Sequence, residues 1–326
     1  MSAHLESSEI QRLAAELLGG REISDFAIGF IHNMKATEES IRAVHAVLTE
    51  LGLSEEKIAT YAQLLGRDPE TIQRNYGNLR RIGLSEEKIA TYAQLLGLDP
   101  ETIQRNYGNL RRIGLSEEKI ATYAQLLGLD PETLQRNYGN LRRIGLSEEK
   151  IATNAHLLSR DPETIQRNYG NLRRIGLSEE KIATYAQLLG RDPETIQRNY
   201  SNHIGLLGGR ECGRSILTTF ASLLGRSPDG FTATFQHLAY IDRQGGNGNA
   251  PIYEKNPILL GTTSAKQREK MAFLLREIYD YRKLGSDEKK AAIKGVYRLV
   301  SDNPQLLACS IPTLERKVDA IRRKAA

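Results

Sequence analysis

Gly52-Leu53-Ser54-Glu55-Glu56-Lys57-Ile58-Ala59-Thr60-Tyr61-Ala62-Gln63-Leu64-Leu65-Gly66-Arg67-Asp68-Pro69-Glu70-Thr71-Ile72-Gln73-Arg74-Asn75-Tyr76-Gly77-Asn78-Leu79-Arg80-Arg81-Ile82 is a 31-residue stretch written five times over residues 52–206, restarting almost letter for letter at Gly83, Gly114, Gly145 and Gly176. A fixed period of this length marks stacked supersecondary units, because one unit alone cannot bury its apolar face. Ser54 reads as an N-cap followed by Glu55 and Glu56, whose carboxylates suit the positive end of a helix. Ile58, Ala62 and Leu65 then form one apolar stripe, and Gly66 is expected to end the helix in the left-handed conformation. Asp68-Pro69-Glu70 starts a second helix, with Pro at the first helical position, where its missing N–H costs nothing. Ile72, Tyr76 and Leu79 form its stripe, and Gly83 closes it. The predicted fold is all-α: a right- or left-handed α-solenoid (superhelix) of stacked helical hairpins with a 31-residue repeat.

At about 100° per residue, the outward set on the first helix is Glu56, Thr60 and Gln63. On the second helix Arg74 and Arg81 point outward with Gly77 and Asn78 between them, and Arg80 is lateral. The candidate surface is therefore Arg74, Arg81, Arg105, Arg112, Arg136, Arg143, Arg167, Arg174 and Arg198. A structural explanation stands beside it: basic residues suit helix C-termini, and Glu70 four residues before Arg74 allows an i,i+4 pair. Gly77, in mid-helix, costs about 1 kcal/mol relative to alanine. It marks close approach by another helix, the commoner cause, or by a ligand.

The 326 residues are 40% hydrophobic and 26% charged with no tryptophan, the composition of a folded helical protein. No apolar run is long enough to span a membrane. The start, Met1-Ser2-Ala3-His4-Leu5-Glu6, lacks both a signal-peptide core and the look of a transit peptide, so the expected location is cytoplasmic. Cys212 and Cys309 lack metal-type spacing and are expected to be free buried thiols. The six histidines (His4, His32, His45, His156, His203, His237) form no ligand set and no nucleophile–base pair. The expectation is no enzyme, no cofactor and no metal.

Charge is uneven: residues 1–51 carry net −4, the repeats +1, residues 207–253 +1 and residues 254–326 +7. A basic end of this kind points to a polyanion. Residues 1–51 read as an N-terminal cap with a degenerate repeat, 52–206 as the five near-identical repeats and 207–243 as a further degenerate repeat. Residues 244–255 read as a Gly-rich loop without a phosphate-cradling motif, and 256–326 as basic C-terminal helical repeats.

Asn256-Pro257-Ile258-Leu259-Leu260 and Asn303-Pro304-Gln305-Leu306-Leu307 share Asn-Pro-x-Leu-Leu before a helix, and Ile-Gly-Leu-Ser-Glu-Glu-Lys-Ile joints recur, as at Ile82 to Ile89. In the last unit Arg316 falls in register with Arg74, and Arg322 and Arg323 with Arg80 and Arg81. Arg316 and Arg323 therefore join the candidate surface. This pattern resembles the repeat of the mTERF (mitochondrial transcription termination factor) family over most of residues 21–323. The resemblance implies a helical superhelix that binds nucleic acid through a basic surface, with roles in organellar transcription or RNA metabolism. Ala62, Ala93, Ala124, Ala155 and Ala186 stand where the family has proline, so the first helix is expected to run unbroken. The start of the chain fits a prokaryotic or archaeal relative.

Two functions compete. One is nucleic-acid binding, to DNA or RNA, led by the backbone and weakly sequence-selective, because the outward arginines barely vary where a base-reading repeat would vary. The other is a protein–protein interaction scaffold, which would favour apolar anchors on the outward face. A monomer is expected.

Overall fold

Ser54 Oγ accepts a hydrogen bond from the Lys57 amide at 3.3 Å and caps the helix Glu55–Thr60. Ser85, Ser116, Ser147 and Ser178 cap the matching helices. This first helix does not run unbroken. It stops at Tyr61 (φ −114°, ψ 38°) and continues as the 3-10 helix Ala62–Gly66. The same break recurs at Tyr92, Tyr123, Asn154 and Tyr185, so it needs no proline. The 3-10 winding puts Ala62 and Leu65, three residues apart, on one line and turns Leu64 sideways. All three are at most 1% exposed. The break also re-aims Gln63, which is half-buried and not outward as the unbroken wheel places it.

Gly66 does not take the left-handed conformation expected of it. A Cβ there would lie 3.1 Å from the Ile31 Cα, so this glycine permits close packing against the helix Asp25–Asn33. One repeat later, a Cβ on Gly97 would lie 2.6 Å from Leu64 Cδ2. The left-handed glycine is Gly83, with φ +97°, matched by Gly114 at +94°, Gly145 at +90° and Gly176 at +107°.

Asp68 accepts from the Thr71 amide at 2.9 Å and starts the second helix, Pro69–Arg81. Its counterparts are Pro100–Arg112, Pro131–Arg143, Pro162–Ile175 and Pro193–Leu206. Ile72 and Leu79 are fully buried, and beside them on the same face lies an equally buried Asn75. Its Nδ2 donates to the carbonyls of Leu96 (2.9 Å) and Leu98 (2.7 Å), at the end of the next repeat's 3-10 helix. Those carbonyls have no partner within their own helix, so the amide meets a need that burial makes costly to leave open. Asn106 bonds Leu127 and Leu129, Asn137 bonds Leu158 and Arg160, Asn168 bonds Leu189 and Arg191, and Asn199 bonds Leu224.

The computed structural model describes residues 4–245, 250–279 and 283–325, with the side chains of residues 210, 212 and 321–325 outside that description. It is all-α, with no strand among the described residues. Hairpins stacked through these carbonyls make an α-solenoid. The chain divides into two compact units, residues 1–162 and 163–326, a boundary inside the fourth repeat. The first opens with Ser7–Leu17, Asp25–Asn33 and Glu38–Glu50, where Thr37 caps at the place of Asp68.

In the second unit the worn copies keep the joint with other side chains. Thr234 Oγ1 donates to the Thr262 carbonyl at 3.0 Å, helped by Arg226, and Lys270 Nζ donates to the Leu307 carbonyl at 2.6 Å. The expected Gly-rich loop is shorter than 244–255. Gly245 ends the helix Pro228–Gly245, Ile252–Lys255 is helical, and 246–249 lie outside the described residues. Cys309 is free but half-buried, and the side chain of Cys212 is outside the description.

Candidate nucleic-acid interface

The three arginines of each repeat do different things. Arg80 Nη1 donates to the Leu84 carbonyl at 3.0 Å, and Arg111, Arg142 and Arg173 do the same to Leu115, Leu146 and Leu177. These close the turn after the left-handed glycine, a structural duty. Arg81 is exposed and leans back on its own helix, with Nη2 2.6 Å from Asn78 Oδ1 and Nε 3.4 Å from the Gly77 carbonyl. Arg112 reaches Asn109 Oδ1 at 3.1 Å. Asn78 is therefore not outward: it is only 7% exposed and serves as the acceptor that orients Arg81.

Arg74, Arg105 and Arg136 are exposed, about two helical turns before Arg81, Arg112 and Arg143. The i,i+4 pair that would give Arg74 a folding role does not form: among the described residues no ion pair joins Glu70 to Arg74, Glu101 to Arg105 or Glu132 to Arg136. Arg136 Nη2 donates to Thr133 Oγ1 at 3.3 Å. The Asp68 carboxyl lies below its ordinary pKa chiefly because the Thr71 amide and hydroxyl donate to it, with a small share from the Arg74 charge.

Seven residues separate Arg74 from Arg81, about 10 Å along the helix. Between them the would-be Cβ of Gly77 meets nothing within 4 Å, and the same holds for Gly108, Gly139 and Gly170. The helix approach expected at Gly77 is absent, and the backbone faces open space. Beside it Asn78, Arg81, Ile82, Gln104 and Tyr107 line a concavity of about 270 Å³ between consecutive second helices. Tyr107 is fixed there by its hydroxyl, which donates to Glu117 Oε1 at 3.1 Å. Burial, and then this bond, hold the phenol pKa above its usual value.

In the second unit Arg167, Arg174 and Arg198 are exposed at the same repeat positions, and Arg316 is exposed with Thr313 Oγ1 3.4 Å away. Arg323 lies in the helix Ile311–Ala325, its side chain outside the description. The sequence reading missed Asn75 and its counterparts. The available signal was an asparagine held on the apolar stripe in all five copies.

Among the described residues no three metal-ligating side chains cluster, and no helix is long and apolar enough to cross a membrane. A search of curated proteins returned no match. The mTERF family is associated with nucleic-acid binding and transcription-related roles and is not known for catalysis. Residues 11–142, which hold most of the N-terminal helices and nearly all of the first three repeats, match the family model described as mTERF, and the chain is mTERF-like over that stretch.

Proposed function

We propose that the protein binds a nucleic-acid backbone across the outward face of its second helices, with Arg74, Arg81 and their counterparts as phosphate contacts. The observation that carries this reading is the row of mid-helix glycines. Gly77, Gly108 and Gly139 each forgo about 1 kcal/mol of helix stability, yet among the described residues nothing lies within 4 Å of where a Cβ would sit. Glycine flanked by two exposed arginines lets a phosphate come close to the helix while both guanidiniums reach it. Stacked helices lie about 8–10 Å apart and a strand advances about 3.4 Å per phosphate, so one repeat spans roughly three nucleotides. Identical arginines at that spacing favour backbone-led, weakly sequence-selective binding, in transcription or RNA metabolism.

The test replaces Arg81, Arg112, Arg143 and Arg174 with glutamate and measures affinity for single- and double-stranded DNA and RNA against salt concentration. Binding is expected to weaken strongly and the salt slope to shrink. Unchanged affinity and slope for every probe would overturn the reading. One observation favours the alternative, a protein scaffold: Phe26, 73% exposed, and Met34, 47% exposed, lie eight residues apart with half-buried Phe30 between them.

A further inference from the structure

The helices Pro228–Gly245, Ser264–Tyr279 and Ser286–Asp302 of the second unit border two adjoining cavities that share His237, Arg268 and Tyr297 in their walls. The first, about 280 Å³, is otherwise aliphatic, with Leu275, Ile293 and Val296 among its lining. The second, about 630 Å³, adds Gln236, Tyr240 and Arg243. No carboxylate lines either cavity among the described residues, so Arg243 and Arg268 set the sign of the field. Neither arginine has an ion-pair partner among the described residues.

His237 stands where the repeats have Asn78, and its buried Nε2 has no hydrogen-bond partner. Burial, and then the Arg268 charge, hold this imidazole below its ordinary pKa. The Tyr240 and Tyr297 rings meet edge to face at 5.6 Å. A wall that is aliphatic at one end and doubly cationic at the other suits neither a bare ion nor a neutral hydrocarbon.

We propose that this part of the chain is a binding site for a small organic anion with an apolar body and a single carboxylate or phosphate head. The body lies against Leu275, Ile293 and Val296. The head is held by Arg268 and Arg243, whose guanidiniums donate to its oxygens. The site is independent of the arginine face of the repeats.

The experiment titrates the full chain with decanoate, decyl phosphate, decanol and inorganic phosphate, each below its micellar concentration, by calorimetry and tyrosine fluorescence. Decanoate and decyl phosphate are expected to bind at least tenfold more tightly than decanol or phosphate. Octanoate should bind more weakly than decanoate, by about threefold to fourfold per methylene lost. Arg268→Ala is expected to weaken decanoate binding about tenfold. Ala272→Phe, at an exposed lining position, should fill the aliphatic lobe and abolish binding with the circular dichroism melt retained. Reversal of Arg81, Arg112, Arg143 and Arg174 should leave decanoate binding intact. Decanol binding as tightly as decanoate, inorganic phosphate binding as tightly as decyl phosphate, or folded Arg268→Ala and Ala272→Phe variants of unaltered affinity would each overturn the proposal.

Discussion

The side-chain nitrogen of Asn106 lies 2.6 Å from the carbonyl oxygen of Leu129, and this bond joins the second helix of one repeat to the 3-10 helix of the next. Its geometry recurs at Asn75, Asn137 and Asn168. Asn106→Leu is sterically close but leaves the Leu127 and Leu129 carbonyls unpaired in the core. The expected loss is about 1–3 kcal/mol, read as a lower urea midpoint. Asn106→Asp should be worse, since a carboxylate there meets acceptors and no donor. Equal midpoints for Asn106→Leu and the parent chain would show that the amide does not hold the repeats together.

Two glycines of one repeat should respond in opposite directions. Gly77→Ala, Gly108→Ala and Gly139→Ala meet no neighbour and should each raise stability by about 0.5–1 kcal/mol. Gly66→Ala brings a Cβ to 3.1 Å from the Ile31 Cα and should lower it. If the outward face binds nucleic acid, the triple alanine variant gains thermal stability and loses affinity. Gain of stability with unchanged affinity would remove the glycines from the binding argument.

The arginines should separate into two classes by melting temperature. Arg111→Ala and Arg142→Ala remove the donors to the Leu115 and Leu146 carbonyls and are expected to cost about 1 kcal/mol each. Arg105→Ala and Arg136→Ala, which form no ion pair among the described residues, should change stability by less than about 0.5 kcal/mol. Equal losses in both classes would mean that the outward arginines serve folding too.

His203 sits fully buried where earlier repeats have Leu79, Leu110, Leu141 and Leu172, stacked on Phe231 at 3.7 Å. Its Nε2 lies 3.0 Å from the Leu223 carbonyl. Burial pulls its pKa from 6.5 to about 4; the Leu223 contact opposes this and the Arg226 charge adds to it. Between those values the unfolded chain binds the proton and the folded chain does not. The contribution is therefore full above pH 6.5 and is lost as pH falls toward 4, an effect of about 3 kcal/mol. Stability measured across that window should fall for the parent and fall less for His203→Leu; identical slopes would contradict this. Below it the Asp68, Asp130 and Asp192 caps, whose pKa values are lowered by their Thr71, Thr133 and Thr195 donors, should protonate and release their helices.

Much of the repeat was legible in its letters. Ser54, Asp68, Pro69 and Gly83 act locally, through caps and a left-handed turn that any helix of this sequence would use. The break at Tyr61 was not legible, because it is decided by tertiary packing: Leu64 turns onto Gly97 of the next repeat, while Ala62 and Leu65 are buried beside it. Alanine, glutamine and leucine are good helix formers, so propensity favours continuation there. Gly66 and Gly77 were misread for the same reason. A glycine's neighbours are invisible in one repeat: the close approach expected at Gly77 is found at Gly66, and the left-handed turn expected at Gly66 is found at Gly83. Of the candidate site, the outward placement of Arg74 and Arg81 followed from helix periodicity. The inward turn of Asn78 did not, because it depends on the bond to Arg81.

The asparagine joint gives the array a direction. Each repeat carries its donor in its second half and its acceptors in its first, so every joint runs from an earlier unit to a later one. Cutting whole repeats from the C-terminal side exposes an amide that water can satisfy, whereas cutting from the N-terminal side strips donors from carbonyls already folded into a core. During synthesis the donor half of each joint emerges before its acceptors, so a new unit meets a finished edge. Because donor and acceptor recur with the same 31-residue phase, a whole unit can be inserted or removed without leaving either without its match.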